Sequence, residues 1–330
     1  MTGIFKTKNP ANFFLLLVLA IVLKLPLFYT SSFDLPKTDD DVLYQSLLSF
    51  LNSKTKIFPK LYPFLSLLLL FTQALMFNSF INRQKMTGRQ TFLPAMSYLL
   101  LTSLLPDWNY FSAPLLVNTI FIFILSSLFQ IYNNEKAKGI IFNAGFAGGV
   151  AVFLYFPSLL FGIWMLLALM IMRPFKINEW ILCIVGISTP FYFYGIYLFI
   201  RDQWSWGALF STLHIKLPSI AQSLWLAISV FLIVVPFLMG AFYVQDNLRK
   251  MLIQVRKGWT ILLVYLLVSL FIPLAGENQT FENWIIAAVP FAGFHACAYL
   301  YTTYRIVPIL IFWASVAFIL VWQYAGPVWH

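Results

Sequence analysis

Long apolar stretches recur along the chain, separated by short segments that contain proline, glycine and charged residues. A membrane-spanning helix needs about 20 mostly apolar residues to cross roughly 30 Å of hydrocarbon, and most of the stretches approach that length. The pattern predicts eleven spans, at 12–29, 61–81, 93–105, 114–132, 140–154, 157–172, 181–200, 219–242, 259–274, 285–302 and 307–324. The third and fifth are short, so we expect them to be tilted, kinked or buried behind their neighbours.

The apolar stretches are continuous rather than alternating, which favours helices over the strands of a β-barrel. Composition agrees, because 61% of the 330 residues are hydrophobic and only 10% are charged, whereas a soluble domain carries about a quarter. The first stretch continues from Asn12 to Tyr29 without a small-residue cleavage site, which indicates a span rather than a signal peptide. We therefore predict an all-α polytopic transmembrane helical bundle, with 1–330 forming a single integral membrane domain.

The net charge of +10 could suggest nucleic-acid binding, but the positions of the basic residues favour a membrane explanation. Cytoplasmic loops of membrane proteins are enriched in Lys and Arg. With the N-terminus inside, the inner segments hold Lys6, Lys8, Arg83, Lys85, Arg89, Lys136, Lys138, Arg173, Lys176, Arg249, Lys250, Arg256, Lys257 and Arg305. Every inner loop is then basic. We predict a cytoplasmic N-terminus, a periplasmic C-terminus, a lipid bilayer as the main partner and no nucleic acid.

The carboxylates show the opposite distribution. The outer segments hold Asp34, Asp39, Asp40, Asp41, Asp107, Asp202, Glu277 and Glu282, whereas the inner segments hold Glu135, Glu179 and Asp246. The positive-inside rule does not require this asymmetry, since acids contribute little to orientation. If the outer loops converge, their carboxylates would line a polar site at that face.

The first outer loop, 31–60, contains four aspartates within eight residues, followed by an amphipathic segment at 42–51. Thr38 is a candidate N-cap, and aspartates in a first turn suit the helix dipole. We expect this helix to lie in the plane of the membrane interface. The acidic run is equally compatible with a helix start and a solvated turn that has no chemical role.

Asp40-Asp41-Val42-Leu43-Tyr44 resembles the acidic pair followed two residues later by Tyr in membrane glycosyltransferases of the GT-C class. The resemblance implies a GT-C-like fold and transfer of a sugar from a polyprenyl-phosphate-linked donor to an acceptor hydroxyl. Asp40 would act as general base, with Asp41 beside it and Asp107 as the second-loop carboxylate. No cofactor is implied with certainty, although a divalent metal is compatible with the chemistry. The chain departs from many class members in having no large soluble outer domain.

The leaving phosphate of such a donor needs cationic or dipolar partners. The outer candidates for binding the donor phosphate are Lys54, Lys56, Lys60, Arg201, His214 and Lys216. Lysines beside a membrane also commonly extend to the lipid headgroups without binding a substrate. Trp204 and Trp206 could stack on sugar rings or belong to an interfacial aromatic belt.

Most of the chain also resembles a family of multi-pass membrane proteins from the Bacteroidota that has no established activity. The similar segments include Phe142-Asn-Ala-Gly-Phe-Ala-Gly-Gly149, Arg173-Pro-Phe-Lys-Ile-Asn-Glu-Trp180 and Gly186-Ile-Ser-Thr-Pro190. This resemblance implies a bacterial inner membrane, with the outer loops in the periplasm. From the residues themselves we expect close helix packing at Gly145 and Gly149 and an ion pair between Arg173 and Glu179.

Two other functions remain open at this stage. A non-catalytic subunit with membrane protein partners would explain the missing outer domain, and a transporter would require charges near the membrane midplane and repeated spans. Lys24 is the one charge well inside a predicted span. His214, His295 and His330 lack metal-ligand spacing, and we expect His295 to be a neutral side chain hydrogen-bonded to a neighbouring helix. Cys183 and Cys297 resemble small apolar residues.

Overall fold

The computed structural model describes residues 2–7, 9–29, 41–55, 58, 60–209, 223–276, 280–304 and 306–325. Within these ranges all regular structure is helical, with no β-strand. The α-helices are α1 Thr2–Phe5, α2 Ala11–Lys24, α3 Val42–Thr55, α4 Leu61–Arg83, α5 Leu93–Leu104, α6 Ala113–Gln130, α7 Lys138–Leu154, α8 Phe161–Met172, α9 Ile177–Ile200, α10 Trp206–Leu209, α11 Leu224–Asn247, α12 Ile253–Phe271, α13 Ala288–Tyr301 and α14 Ile306–Ala325. The 3₁₀ turns Phe156–Leu160 and Phe281–Ala287 lead directly into α8 and α13, and Pro106–Asn109 is a separate 3₁₀ turn after α5.

Each of the eleven apolar stretches overlaps a helix of the described chain, although residues 219–222 of the eighth lie outside the described residues. Eight are long and apolar enough to cross a membrane: Ala11–Phe28, Leu61–Arg83, Ala113–Gln130, Ile177–Ile200, Leu224–Lys250, Ile253–Ala275, Phe281–Tyr301 and Ile306–Gln323. Leu93–Leu104, Lys138–Leu154 and Phe156–Met172 are shorter. The protein is thus a helical membrane protein, whereas eleven crossings and the compartments of the two termini stay predictions.

Some predicted boundaries were wrong by several residues. The ninth stretch was placed at 259–274, but α12 begins at Ile253, so Arg256 and Lys257 lie in its first turns rather than in a loop. Likewise α9 begins at Ile177 and contains Glu179. Hydropathy marks where apolar character stops, but a helical backbone continues through charged residues when their side chains reach water or find a partner within the protein, as Glu179 and Lys257 do.

The helices divide into a buried centre and a periphery. All twelve residues of α5 are buried, which agrees with the expectation that this short stretch lies behind its neighbours. Of the long helices, Phe281–Tyr301 is 78% buried and Leu224–Lys250 only 22%. The peripheral helices α9, α11 and α14 expose large apolar side chains such as Phe193, Phe231 and Leu310. Such surfaces suit contact with lipid.

Glycines allow the backbones of α7 and α9 to approach closely. A Cβ atom at Gly145 would lie 2.5 Å from the carbonyl oxygen of Cys183, and one at Gly149 would collide with the carbonyl oxygen of Ile187. A Cβ at Gly186 would lie 2.6 Å from the Phe142 carbonyl oxygen. The expected small-residue contact at Gly145 and Gly149 is therefore confirmed.

A neutral hydrogen-bond network crosses the buried centre. The Tyr98 hydroxyl donates to Gln73 Oε1 at 2.5 Å, and Asn118 Nδ2 donates to the Tyr98 hydroxyl at 2.9 Å. Gln73 Nε2 also donates to the Leu115 carbonyl at 2.7 Å. Separately, His295 Nε2 lies 2.7 Å from the carbonyl oxygen of Ile233 on α11, as expected. These contacts join α4, α5 and α6, and α13 to α11, and they satisfy polar groups that lipid hydrocarbon could not.

Hydrogen bonds link the segments predicted to share the inner side. Arg173 Nη1 donates to the carbonyls of Ile131 and Asn134 at 2.9 and 2.5 Å, and Lys257 Nζ donates to that of Met172 at 3.1 Å. The Tyr301 hydroxyl donates to the Thr87 carbonyl at 2.8 Å. These loops therefore meet at one end of the bundle, which we call the basic end. The two loops predicted to be the first and second outer loops meet at the other end, here called the opposite end.

Candidate functional site

Asp41 is the best-defined candidate at the opposite end. It precedes α3, and its backbone N–H donates to the carbonyl of Leu154, the last residue of α7, at 3.5 Å. Its Oδ1 accepts a hydrogen bond of 2.7 Å from the backbone N–H of Val42. Only 7% of the residue is exposed. The first turn of α3 thus holds this carboxylate against the end of α7.

Burial raises the pKa of the Asp41 carboxyl group from 3.8 to about 6, and the hydrogen bond from Val42 offsets part of that rise. Desolvation has this effect because it disfavours the charged form. Within the described residues Asp41 has no basic partner that would restore a low pKa. A carboxylate with a pKa near 6 is still ionised at neutral pH, yet binds a proton more readily than an ordinary aspartate does.

Aromatic contacts bring the first and second outer loops together. The ring of Tyr44, one turn after Asp41, stacks on Phe111 with centroids 6.0 Å apart. Tyr62, at the start of α4, packs on the other side of the contact, 5.5 Å from Phe111. The Tyr62 hydroxyl donates to Asn52 Oδ1 on α3 at 2.6 Å. The helix predicted after the acidic run is therefore confirmed, extended to Thr55, and packed partly on protein.

Asp107 lies in the 3₁₀ turn Pro106–Asn109, four residues before Phe111. Its neighbour Trp108 donates from Nε1 to the Phe281 carbonyl at 2.7 Å, which joins this turn to the one that precedes α13. Asp41 and Asp107 thus belong to loops that touch through Tyr44 and Phe111. The second-loop carboxylate is partly exposed beside this contact.

The side chain of Lys24 forms a hydrogen bond with the same 3₁₀ turn, Pro106–Asn109. Its ammonium group donates to Thr102 Oγ1 at 2.9 Å and to Asn109 Oδ1, and the side chain is wholly buried. Both partners are neutral, and no described carboxylate pairs with it. The position of a charge within the first apolar stretch signalled this residue, but its partners lie about 80 positions away along the chain and could not be inferred from sequence.

Two tyrosines near the end of α9 lie between Asp41 and Arg201. Tyr194 is close enough to interact electrostatically with Asp41, and its ring stacks on Tyr197 at 6.1 Å. The Arg201 guanidinium lies over the Tyr197 ring, 5.2 Å from its centroid. Of the described cation candidates, Arg201 is thus linked by ring contacts to Tyr194, which interacts electrostatically with Asp41. Tyr194 was missed from the sequence because it lies inside an apolar stretch and no local pattern distinguishes it.

Of the other predicted phosphate-binding residues, Lys54 is described and lies far from Asp41. Lys54 lies at the far end of α3, about 20 Å away along a helix rising 1.5 Å per residue, and its Nζ is 5.8 Å from the Phe50 ring. Lys60 is exposed before α4. Asp40, Lys56, His214 and Lys216 lie outside the described residues, as does Thr38. Among the residues that are described, no group of three His, Cys, Asp or Glu side chains could hold a metal ion.

Comparison with known proteins returned no match: no protein-family model, curated protein or solved structure is significantly similar to this chain.

Proposed function

We propose that the protein is a membrane glycosyltransferase that transfers a sugar from a polyprenyl-phosphate-linked donor to an acceptor hydroxyl at the opposite end of the bundle. The observation that carries the proposal is Asp41, a buried carboxylate whose pKa is raised to about 6. Burial of an unpaired carboxylate destabilises a fold, so a chemical role would account for it. The polyprenyl chain of the donor would remain in the lipid beside the helices.

In this reaction the acceptor oxygen attacks the anomeric carbon and the bond from that carbon to the phosphate oxygen breaks. Polyprenyl phosphate leaves with the electron pair, and the acceptor proton passes to the Asp41 carboxylate. Asp41 thereby takes the role of general base that the glycosyltransferase resemblance gives to Asp40, which lies outside the described residues. A correctly placed base typically contributes about 10² to 10⁴ in rate. Asp107, in the loop that touches the start of α3, would orient the acceptor through a hydrogen bond.

Arg201 is the described cation best placed to stabilise the leaving phosphate. It is exposed, and it lies two turns beyond Tyr194 on α9, roughly 10 Å along the helix axis from the residue that interacts with Asp41. Its contact with Tyr197 orients the guanidinium group towards that helix face. Fixed positive charge near a developing phosphate is a large source of rate acceleration.

The test uses cells that lack the native copy and carry Asp41→Asn, Asp107→Asn or Asp202→Asn. The lipid-linked sugars are extracted and measured by mass spectrometry. We expect one polyprenyl-phosphate sugar to accumulate, at least tenfold, in the deletion strain and in the Asp41→Asn strain, with unchanged protein abundance. Asp107→Asn should give a smaller accumulation.

Asp202→Asn is the matched control. Asp202 is an exposed carboxylate at the same end, and it has a φ of +55°, a conformation that Asn also adopts readily. It should behave as the native protein does. A normal pool of lipid-linked sugars in both the deletion and the Asp41→Asn strains would overturn the proposal. A stoichiometric partner that carries the activity without Asp41 would favour a non-catalytic subunit instead.

A further inference from the structure

A lateral groove opens between α11 and α12 near the basic end. It has a volume of about 350 Å³ and is lined mainly by apolar side chains. Phe242 and Leu263 form its outer walls and are both exposed, while Phe294 of α13 and Trp259 contribute to its lining from the interior. Because α11 and α12 are among the long apolar helices, the medium against this groove in a membrane is lipid.

The mouth of the groove changes from apolar to polar towards the basic end. Gln245 and Thr260 line it and are exposed. The lining also includes Leu248, and the next two residues are Arg249 and Lys250, in a 3₁₀ turn. Gln245 and Thr260 could hydrogen-bond the ester oxygens of a lipid, and Arg249 and Lys250 its phosphate oxygens.

Arg256 completes the cationic rim. It precedes Thr260 by one turn of α12, and the Thr260 hydroxyl donates to the Arg256 carbonyl at 3.2 Å. Four residues of helix rise about 6 Å, which matches the roughly 5–7 Å thickness of the headgroup region in each leaflet. Arg256 therefore sits at phosphate level when Thr260 sits at the edge of the hydrocarbon.

No carboxylate in the described part of the chain pairs with the charges of this rim. Arg249, Lys250 and Arg256 are exposed, and none forms an ion pair with a carboxylate of the described residues. By contrast, nearby Lys257 is partly buried, donates to the Met172 carbonyl and lies over the Tyr132 ring at 5.1 Å. The three rim residues thus present positive charge outward beside an apolar groove.

We propose that this groove is a binding site for an anionic phospholipid of the leaflet at the basic end. One acyl chain would lie between Phe242 and Leu263, and the phosphate would meet Arg249, Lys250 and Arg256. Basic pockets between membrane helices suit such headgroups, and each nearby basic side chain contributes roughly fivefold in affinity. The proposal does not depend on the glycosyltransferase assignment.

The test is native mass spectrometry of the delipidated full chain with phosphatidylglycerol or phosphatidylcholine of identical acyl chains. We expect the native protein to retain phosphatidylglycerol at least tenfold more strongly. Arg249→Gln/Lys250→Gln/Arg256→Gln should weaken that binding roughly a hundredfold. Leu263→Trp, which fills the groove at a lipid-facing position without changing charge, should weaken it several-fold.

The matched control is Lys136→Gln/Lys138→Gln/Lys176→Gln, which removes three exposed charges from the same end away from the groove. It should retain phosphatidylglycerol as the native chain does. Equal retention of the two lipids by the native protein would overturn the proposal, as would equal loss in the control variant. A protein subunit that occupies the groove in place of lipid would also overturn it.

Discussion

The two ends of the bundle treat charge in different ways. At the basic end Arg173 Nε lies 3.0 Å from Glu179 Oε2, and the same guanidinium group hydrogen-bonds two loop carbonyls. At the opposite end Asp41 and Lys24 are buried, and neither meets an opposite charge among the described residues. A paired charge fastens loops together, whereas an unpaired buried charge lowers stability and calls for another explanation.

The largest effect on stability is expected from Arg173→Ala. This change breaks the ion pair, removes hydrogen bonds to Ile131 and Asn134, and leaves the buried Glu179 carboxylate uncompensated. Losing one partner of a buried pair typically costs about 3–5 kcal/mol. The free energy of unfolding in detergent micelles, followed by circular dichroism, measures the loss.

Lys176→Ala is the control for that substitution, because Lys176 is an exposed basic residue in the same loop. Its effect should stay within about 0.5 kcal/mol. Similar losses in the two variants would mean that the ion pair does not fasten the basic end, and the contrast between the ends would then disappear.

Asp41→Asn, in contrast, is expected to increase the free energy of unfolding. Asn keeps an oxygen that accepts the Val42 N–H but carries no charge. Since the folded-state pKa of Asp41 is raised from 3.8 to about 6, the protonated form favours folding. That contribution is complete below pH 3.8 and is lost as the pH rises through 6. At pH 7.5 the variant should be more stable than the native chain by about 3 kcal/mol.

The measurement is the same unfolding experiment at pH 7.5 and at pH 4, where the difference should shrink to nearly zero. A variant that is equally stable or less stable at pH 7.5 would contradict the idea that Asp41 is held in its site at a thermodynamic cost. Stabilisation together with lost activity would sharpen it, because the two effects would then have one origin.

The smallest effect on stability is expected where the turn Pro106–Asn109 contacts the turn Phe281–Ala287. Trp108→Phe removes the hydrogen bond to the Phe281 carbonyl while keeping most of the aromatic volume, and should cost about 1 kcal/mol. Trp313→Phe, at an exposed position on α14, should change the unfolding midpoint little. If both substitutions behave alike, the Trp108 bond does not tie the opposite end together.

The sequence predicted the helices well because continuous apolar stretches leave a membrane chain no other regular structure. It also predicted contacts between near neighbours, such as the pair Arg173 and Glu179. The environment of Asp41 could not be predicted from the sequence, because its neighbours Leu154 of α7 and Tyr194 of α9 lie more than 100 positions later in the chain. The distance of Lys54 from Asp41 has a simpler cause: almost the whole length of a rigid helix separates the two residues.

The complete burial of α5 has a consequence for how the protein is made. Its twelve residues include Ser97, Thr102 and Ser103, and Ser103 O accepts a hydrogen bond from Gln323 on α14. Gln323 of α14 leaves the ribosome 220 residues after Ser103 of α5, which at about 5–20 residues per second is roughly 10–45 s later. During that interval a short helix with several hydroxyl groups must persist beside the insertion machinery. Chains truncated before α13 should therefore be recognised by membrane proteases.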